Sequence, residues 1–181
     1  NGRVSVGASC SFFVPKPFTP FQWASMCEEE EYTRRAHLVN DEFKAQHNRR
    51  SLSFKYHDAK TTVLEGILAR GDRRIADVIY SAYKKGCLYD AWTEFFHYDR
   101  WMEAMEENGL DYHFYTTRAR SLDEIFPWDF IDIGVTKTFL KREWNNAMEE
   151  KVTPNCREKC SGCGASRFGG GVCRESKNQM E

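Results

Sequence analysis

Four cysteines crowd the end of the sequence, Cys156, Cys160, Cys163 and Cys173, spaced C-x3-C-x2-C-x9-C in "NCREKCSGCGASRFGGGVC". Thiolates are ligands that Zn²⁺ and iron–sulfur clusters share, and both accept a full set of four. Three close cysteines with a remote fourth suit a [4Fe–4S] cubane, whereas zinc ribbons more often carry two C-x2-C pairs. Ligand identity leaves both metals open, and a tail of free thiols is the bland alternative. Cys10, Cys27 and Cys87 are scattered, and the odd total of seven argues against a disulfide framework.

The composition around the cysteines changes with them. From Lys151 onward glycines appear (Gly162, Gly164, Gly169, Gly170, Gly171) and apolar residues become rare. Such a segment is not expected to order itself by burying surface, while a metal held by thiolates would supply the missing folding free energy. Between Lys151 and Arg174 stand five basic residues (Lys151, Arg157, Lys159, Arg167, Arg174) and one acidic residue, Glu158. A four-thiolate centre is net negative, so these cations would offset it. The same basic rim suits RNA, the partner of many small Cys-rich knuckles. Other chemistry is thinly represented. His37, His47, His57, His97 and His113 show neither H-x3-H nor H-E-x-x-H spacing, and no G-x-S-x-G, P-loop or dinucleotide glycine pattern occurs. "RGD" at Arg70–Asp72 reads as the joint between two helices.

The elements that must carry this tail begin with a strand. Val4, Val6, Ala8, Cys10, Phe12 and Val14 alternate with small polar residues, a period of two that predicts a strand over 4–14, stopped by the prolines of "PKPFTP". From Phe21 to Asn48 the spacing of Trp23, Met26, Cys27, Ala36, Val39 and Phe43 predicts one long amphipathic helix, broken at most once. Its early run Glu28–Glu31 suits the positive end of a helix dipole better than a carboxylate catalyst. "SLSFKYHD" predicts a second strand, closed by Asp58 as the cap of a helix bearing Val63, Leu64, Ile67 and Leu68 inward and ending at Gly71. Asp72 is expected to cap a further helix, with Ile75, Val78, Ile79, Ala82 and Tyr83 inward, ending at Gly86 and forming a hairpin with the previous one. The aromatics between Leu88 and Gly109 predict a core wedge rather than a substrate wall. Thr136 is expected to cap a last helix with Phe139, Leu140, Trp144 and Ala147 inward.

A chain of 181 residues is most economically one compact unit. With 26 basic and 27 acidic residues there is no global charge case for nucleic acid or an anionic membrane. No apolar run is long enough to span a bilayer and no secretory leader opens the sequence, so the expectation is a cytoplasmic protein without a membrane partner. The absence of an initiator Met before "NGRVSVGA" reads as the start of a fragment or processed chain.

Several stretches together, "FVPKPFTPFQW", "LEGILARGDRRIADVIYSAYKKGC", "PWDFIDIGVTKTFLKREW" and "TPNCREKCSGCG", resemble the C-terminal region of the radical SAM proteins that carry a B12-binding-like domain. The resemblance covers nearly the whole chain. It implies an α+β, mainly helical fold: the last strand of a radical SAM partial (β/α) barrel with its Pro-rich loop (1–23), a helical extension with one short strand (24–150) and a Cys-rich metal-binding tail (151–181). It further implies that the backbone of Phe13, Val14 and Pro15 lies beside the adenine of S-adenosylmethionine. The C-x3-C-x2-C spacing of the tail is also that of the radical-generating motif. In the family, however, that triplet follows the first barrel strand and usually has an aromatic before its third cysteine, whereas Gly162 precedes Cys163 and few residues follow. The resemblance therefore implies an auxiliary [4Fe–4S] cluster on Cys156, Cys160, Cys163 and Cys173, with zinc as the alternative. S-adenosylmethionine and cobalamin would belong to the full-length protein, and the partners would be the upstream barrel and B12-binding-like domain. A zinc knuckle that positions RNA or protein substrate is the competing expectation.

Overall fold

The computed structural model describes residues 4–169. Their fold is α+β and mainly helical, with one small sheet of two parallel strands. The described residues fall into two compact units: one takes those through Val14 and Ser25–Ala119, the other Pro15–Ala24 and the described residues from Arg120 onward. The Pro-rich loop, the last helix and the described part of the tail belong to the second unit.

In the first unit, strand β1 (Val6–Cys10) pairs in parallel with β2 (Leu52–Tyr56), with Val6 opposite Leu52 and Cys10 opposite Tyr56. The strand stops at Cys10, four residues short of the alternation, because its partner ends at Tyr56. Parallel strands need a crossover, here supplied by helix α1 (Glu29–Ala45), which packs on β2 through Phe43 and Phe54, with ring centroids 5.3 Å apart. Only Ala8 of β1 is even half-buried.

The expected helix over 21–48 is divided between two cores. Pro20–Trp23 is a short 3₁₀ turn with Gln22 and Trp23 buried in the second unit, while Met26 is buried in the first and α1 begins only at Glu29. Tyr32 fixes that start: its hydroxyl donates to the Phe13 carbonyl at 2.7 Å and accepts the Cys27 N–H at 3.3 Å.

Asp58 caps α2 (Ala59–Arg70) by accepting the Thr61 N–H at 3.0 Å. Gly71 ends this helix with an ordinary φ of −71°, so it is not the left-handed stop its sequence position suggests. A Cβ there would fall 2.7 Å from the Ile67 carbonyl oxygen and against Ile75, and that close approach is what requires glycine. Helix α3 (Ile75–Lys84) does end at a left-handed glycine, Gly86, with φ +91°. Its main neighbour is α4 (Tyr98–Glu107) rather than α2, so the expected hairpin is replaced by an α3–α4 pair. Val63, Ile67, Val78, Ala82, Trp101 and Met105 are central to the core, closed by Tyr115 of the single-turn α5 (Tyr112–Tyr115). Leu68, Ile79 and Tyr83, expected inside, are exposed, and of the aromatic run only Trp101 is buried, with Phe96 and Tyr98 against it and Tyr89, Trp92 and Phe95 outside.

The second unit is built on Trp23, Phe126, Trp128 and Leu140, with Phe126 and Trp128 stacked 4.8 Å apart. The buried Gln22 pins this core, because its Oε1 accepts from Trp128 Nε1 at 2.8 Å and from the Phe18 N–H at 3.2 Å. Helix α6 (Lys137–Met148) is capped by Thr136, whose Oγ1 accepts the Phe139 N–H at 3.2 Å. Leu140 is its buried residue, with Phe139 and Trp144 packed partly against the same core. Among the described residues no helix is long and apolar enough to cross a membrane.

Candidate metal centre

The cysteine-bearing segment lies against the start of α6 and the loop before it. The N–H of Thr136, the residue whose side chain caps α6, donates to the Cys163 carbonyl at 2.9 Å. Two further contacts hold the loop: Arg167 pairs with Asp132, and the Phe168 ring lies on Gly134 so closely that a Cβ at that glycine would overlap it. On the other side of the segment, Arg142 Nη2 donates to the Ser161 carbonyl. The described part of the tail makes its contacts with its own unit through hydrogen bonds and an ion pair, with no residue of it buried.

The local backbone explains the glycines. Gly162 and Gly164 both take left-handed angles, φ +68° and +103°, which a β-carbon would strain. At Gly164 a Cβ would also meet the Gly134 carbonyl oxygen at 2.8 Å. This double turn places the Ala165 backbone nitrogen 3.4 Å from Cys163 Sγ, so that its N–H donates to the sulfur. Upstream, Asn155 opens a turn by accepting the Arg157 N–H on Oδ1 at 2.9 Å and the Lys159 N–H on its carbonyl at 3.1 Å.

Cys156, Cys160 and Cys163 line one small pocket of about 20 Å³, together with Gly162 and Gly164. Cys156 and Cys160 are exposed and Cys163 is half-buried. Among the described residues no three His, Cys, Asp or Glu side chains stand at the spacing of a finished metal site. The three cysteines that line this concavity are free, a donor type suited to a thiophilic metal, and exposed thiols can close on an ion without dismantling a core. Cys173, the expected fourth ligand, and Arg174 lie outside the described residues. Of the scattered cysteines, Cys10 is exposed at the end of β1, Cys27 is half-buried and Cys87 is a core residue whose thiol is pushed up by burial, then by Asp90.

The site rests on residues that motif spacing did not single out. Asp132 accepts the Gly134 N–H at 2.8 Å as well as the Arg167 guanidinium. Gly134's N–H first, and Arg167 second, hold its carboxyl below the usual carboxylate range. A lowered pKa means that the contact is at full strength above the ordinary carboxylate value of about 3.9 and is lost only as pH falls through the lower folded value. An NMR titration of the Asp132 carboxyl should therefore inflect below that value, and Arg167→Gln should return it only part of the way, because the backbone N–H remains. An unshifted inflection in the parent chain would contradict the contact. The signal for it in the sequence was "DIG", an Asp two residues ahead of a glycine.

The residues assigned to S-adenosylmethionine follow one another in the segment after β1. Phe13 is half-exposed with its carbonyl engaged by Tyr32, Val14 is buried with Met26 and Ala59, and Pro15 is buried in the other unit. His113 sits 2.7 Å from Asp111 and 3.7 Å from Glu28, a surface pairing. No protein-family model matches the chain, and no curated protein or solved structure matches it.

Proposed function

We propose that this chain is the C-terminal part of a radical SAM iron–sulfur enzyme and that its tail holds an auxiliary [4Fe–4S] cluster. The observation that carries the metal reading is the convergence of Cys156, Cys160 and Cys163 on one pocket, in a segment fastened to α6 and to the Asp132–Thr136 loop. Cys173 is the candidate for the fourth ligand. The cluster would supply a redox-active or substrate-binding iron site; the chain's own part is to fix the cysteine segment and to surround it with cations.

The sheet supports the same reading. Parallel strands are found almost only where both faces are covered, yet β1 is exposed along nearly its whole length and, among the described residues, pairs on one side only. Its edge away from β2 has no strand partner among the described residues and is where the upstream barrel would join, β1 being the last strand of that barrel, with Phe13, Val14 and Pro15 in the segment that follows it for S-adenosylmethionine. The radical-generating cluster, and cobalamin if it is used, would belong to the upstream domains, so the chain alone would not be an active enzyme.

The size of the cysteine pocket favours a second reading. About 20 Å³ holds little more than one water-sized sphere, which suits a zinc ion before a cubane. In that case the tail is a structural knuckle whose rim of Arg157, Lys159, Arg167 and Arg174 positions an RNA or protein substrate. Anaerobic purification and reconstitution, followed by iron, sulfide and zinc analysis, separates the two. About four iron and four sulfide per chain are expected; about one zinc without sulfide would replace the cluster by the knuckle. Neither metal in stoichiometric amount would remove both. RNA binding that is steep in salt and lost on neutralising the four cations would identify the knuckle's substrate.

A further inference from the structure

Next to the cysteine pocket lies a wider one of about 260 Å³, lined by Arg142, Asn146, Thr153 and Lys159 and sharing Cys160 and Ser161 with it. Its charges do not cancel. Glu143 is the only carboxylate among the described residues that line it, and three donors already serve that group: Thr153 Oγ1, Asn146 Nδ2 at 3.4 Å and Arg142 Nε at 3.3 Å. Arg142 is held on three sides, by Glu143, by the Ser161 carbonyl and by the Phe139 ring with its centroid 4.9 Å away. Its Nη1 donates to no described residue, and Lys159 Nζ pairs with no described carboxylate. A guanidinium fixed in orientation and an uncommitted ammonium on one concavity form an arrangement that recognises anionic oxygen.

We propose that this pocket binds a small anionic ligand, carrying a carboxylate or a phosphate, between Arg142 and Lys159. Asn146 and Thr153 are its neutral hydrogen-bonding neighbours. A ligand seated there lies against Cys160, so the pocket would present it to the cysteine segment. The proposal does not depend on whether the cysteines take iron, zinc or neither.

The test is calorimetric titration of the full chain at low ionic strength, with inorganic phosphate in one arm and succinate in the other. Saturable binding with one site per chain is expected in at least one arm. Phosphate alone would identify a phosphate-bearing ligand, succinate alone a carboxylate, and both together a site that reads charge. Lys159→Gln removes no described contact and should weaken binding by about tenfold; Arg142→Gln should weaken it at least as much. Arg34→Gln, which alters a cation paired with Glu31 on α1, should leave binding unchanged. Should Arg142→Gln loosen the tail, Lys159→Gln still decides. No saturable heat in either arm, or undiminished binding in Lys159→Gln, would overturn the proposal. So would loss of metal along with the anion in Lys159→Gln, because the lysine would then serve the metal centre. Anion binding should persist in Cys163→Ala; its loss there would assign the anion to the metal instead.

Discussion

Replacing Cys163 with alanine should lower the metal affinity of the proposed centre by more than about a hundredfold, since an outer-shell partner alone is worth about 10–100-fold. Cys163 is singled out because it is the half-buried member of the trio, with a carbonyl held by the Thr136 N–H and a sulfur that accepts the Ala165 N–H. The informative companion is Gly134→Val, which leaves every cysteine in place. It puts a β-branched residue at φ +83° and drives its Cβ into the Phe168 ring, so the segment must lift from the loop. An affinity about tenfold or more below the parent is expected, read by competition with a chromophoric chelator. If Gly134→Val binds metal as the parent does, the loop does not position the centre. If Cys163→Ala does so, Cys163 is not a ligand.

The parts of this fold that the sequence made legible are those decided within one turn. Asp58 and Thr136 cap α2 and α6 because the side-chain oxygen has only to reach an N–H three residues on. Gly86 ends α3 for an equally local reason. Periodicity misled where a segment serves two cores: Trp23 and Met26 share a helical spacing, yet one is buried in each unit. It also misled at the edges of the helices, where Leu68, Ile79 and Tyr83 follow the apolar stripe but have no opposing layer among the described residues. Gly71 was legible as a required glycine but for another reason, since what demands it is Ile75 and the Ile67 carbonyl, not a positive φ. For the candidate site, C-x3-C-x2-C spacing pointed to the pocket. The supports of that pocket did not show: Asp132–Arg167 and Arg142–Ser161 join positions far apart in the chain, and no local pattern encodes such pairs.

In the first unit, Trp101→Ala should cost about 3–5 kcal/mol of folding free energy, enough to consume much of a domain's typical stability. Trp101 is 7% exposed, and its core cluster includes Val78 and the two alanines Ala82 and Ala104, all 0% exposed. Alanines on the paired helices α3 and α4 leave little side chain that can move into the void, so the site cannot collapse to recover the lost contacts. Cys87 belongs to the same cluster and is buried as well. One detail makes the prediction sharper. Trp101 Nε1 is buried without a hydrogen-bond partner among the described residues, a donor whose desolvation nothing repays. Trp101→Phe therefore removes a liability together with part of the ring, and should cost well under half of what the alanine costs. Urea unfolding followed by far-UV circular dichroism measures both. An alanine variant within about 1 kcal/mol of the parent would mean that this core repacks freely; a phenylalanine variant as damaged as the alanine would mean that the indole N–H has a partner after all.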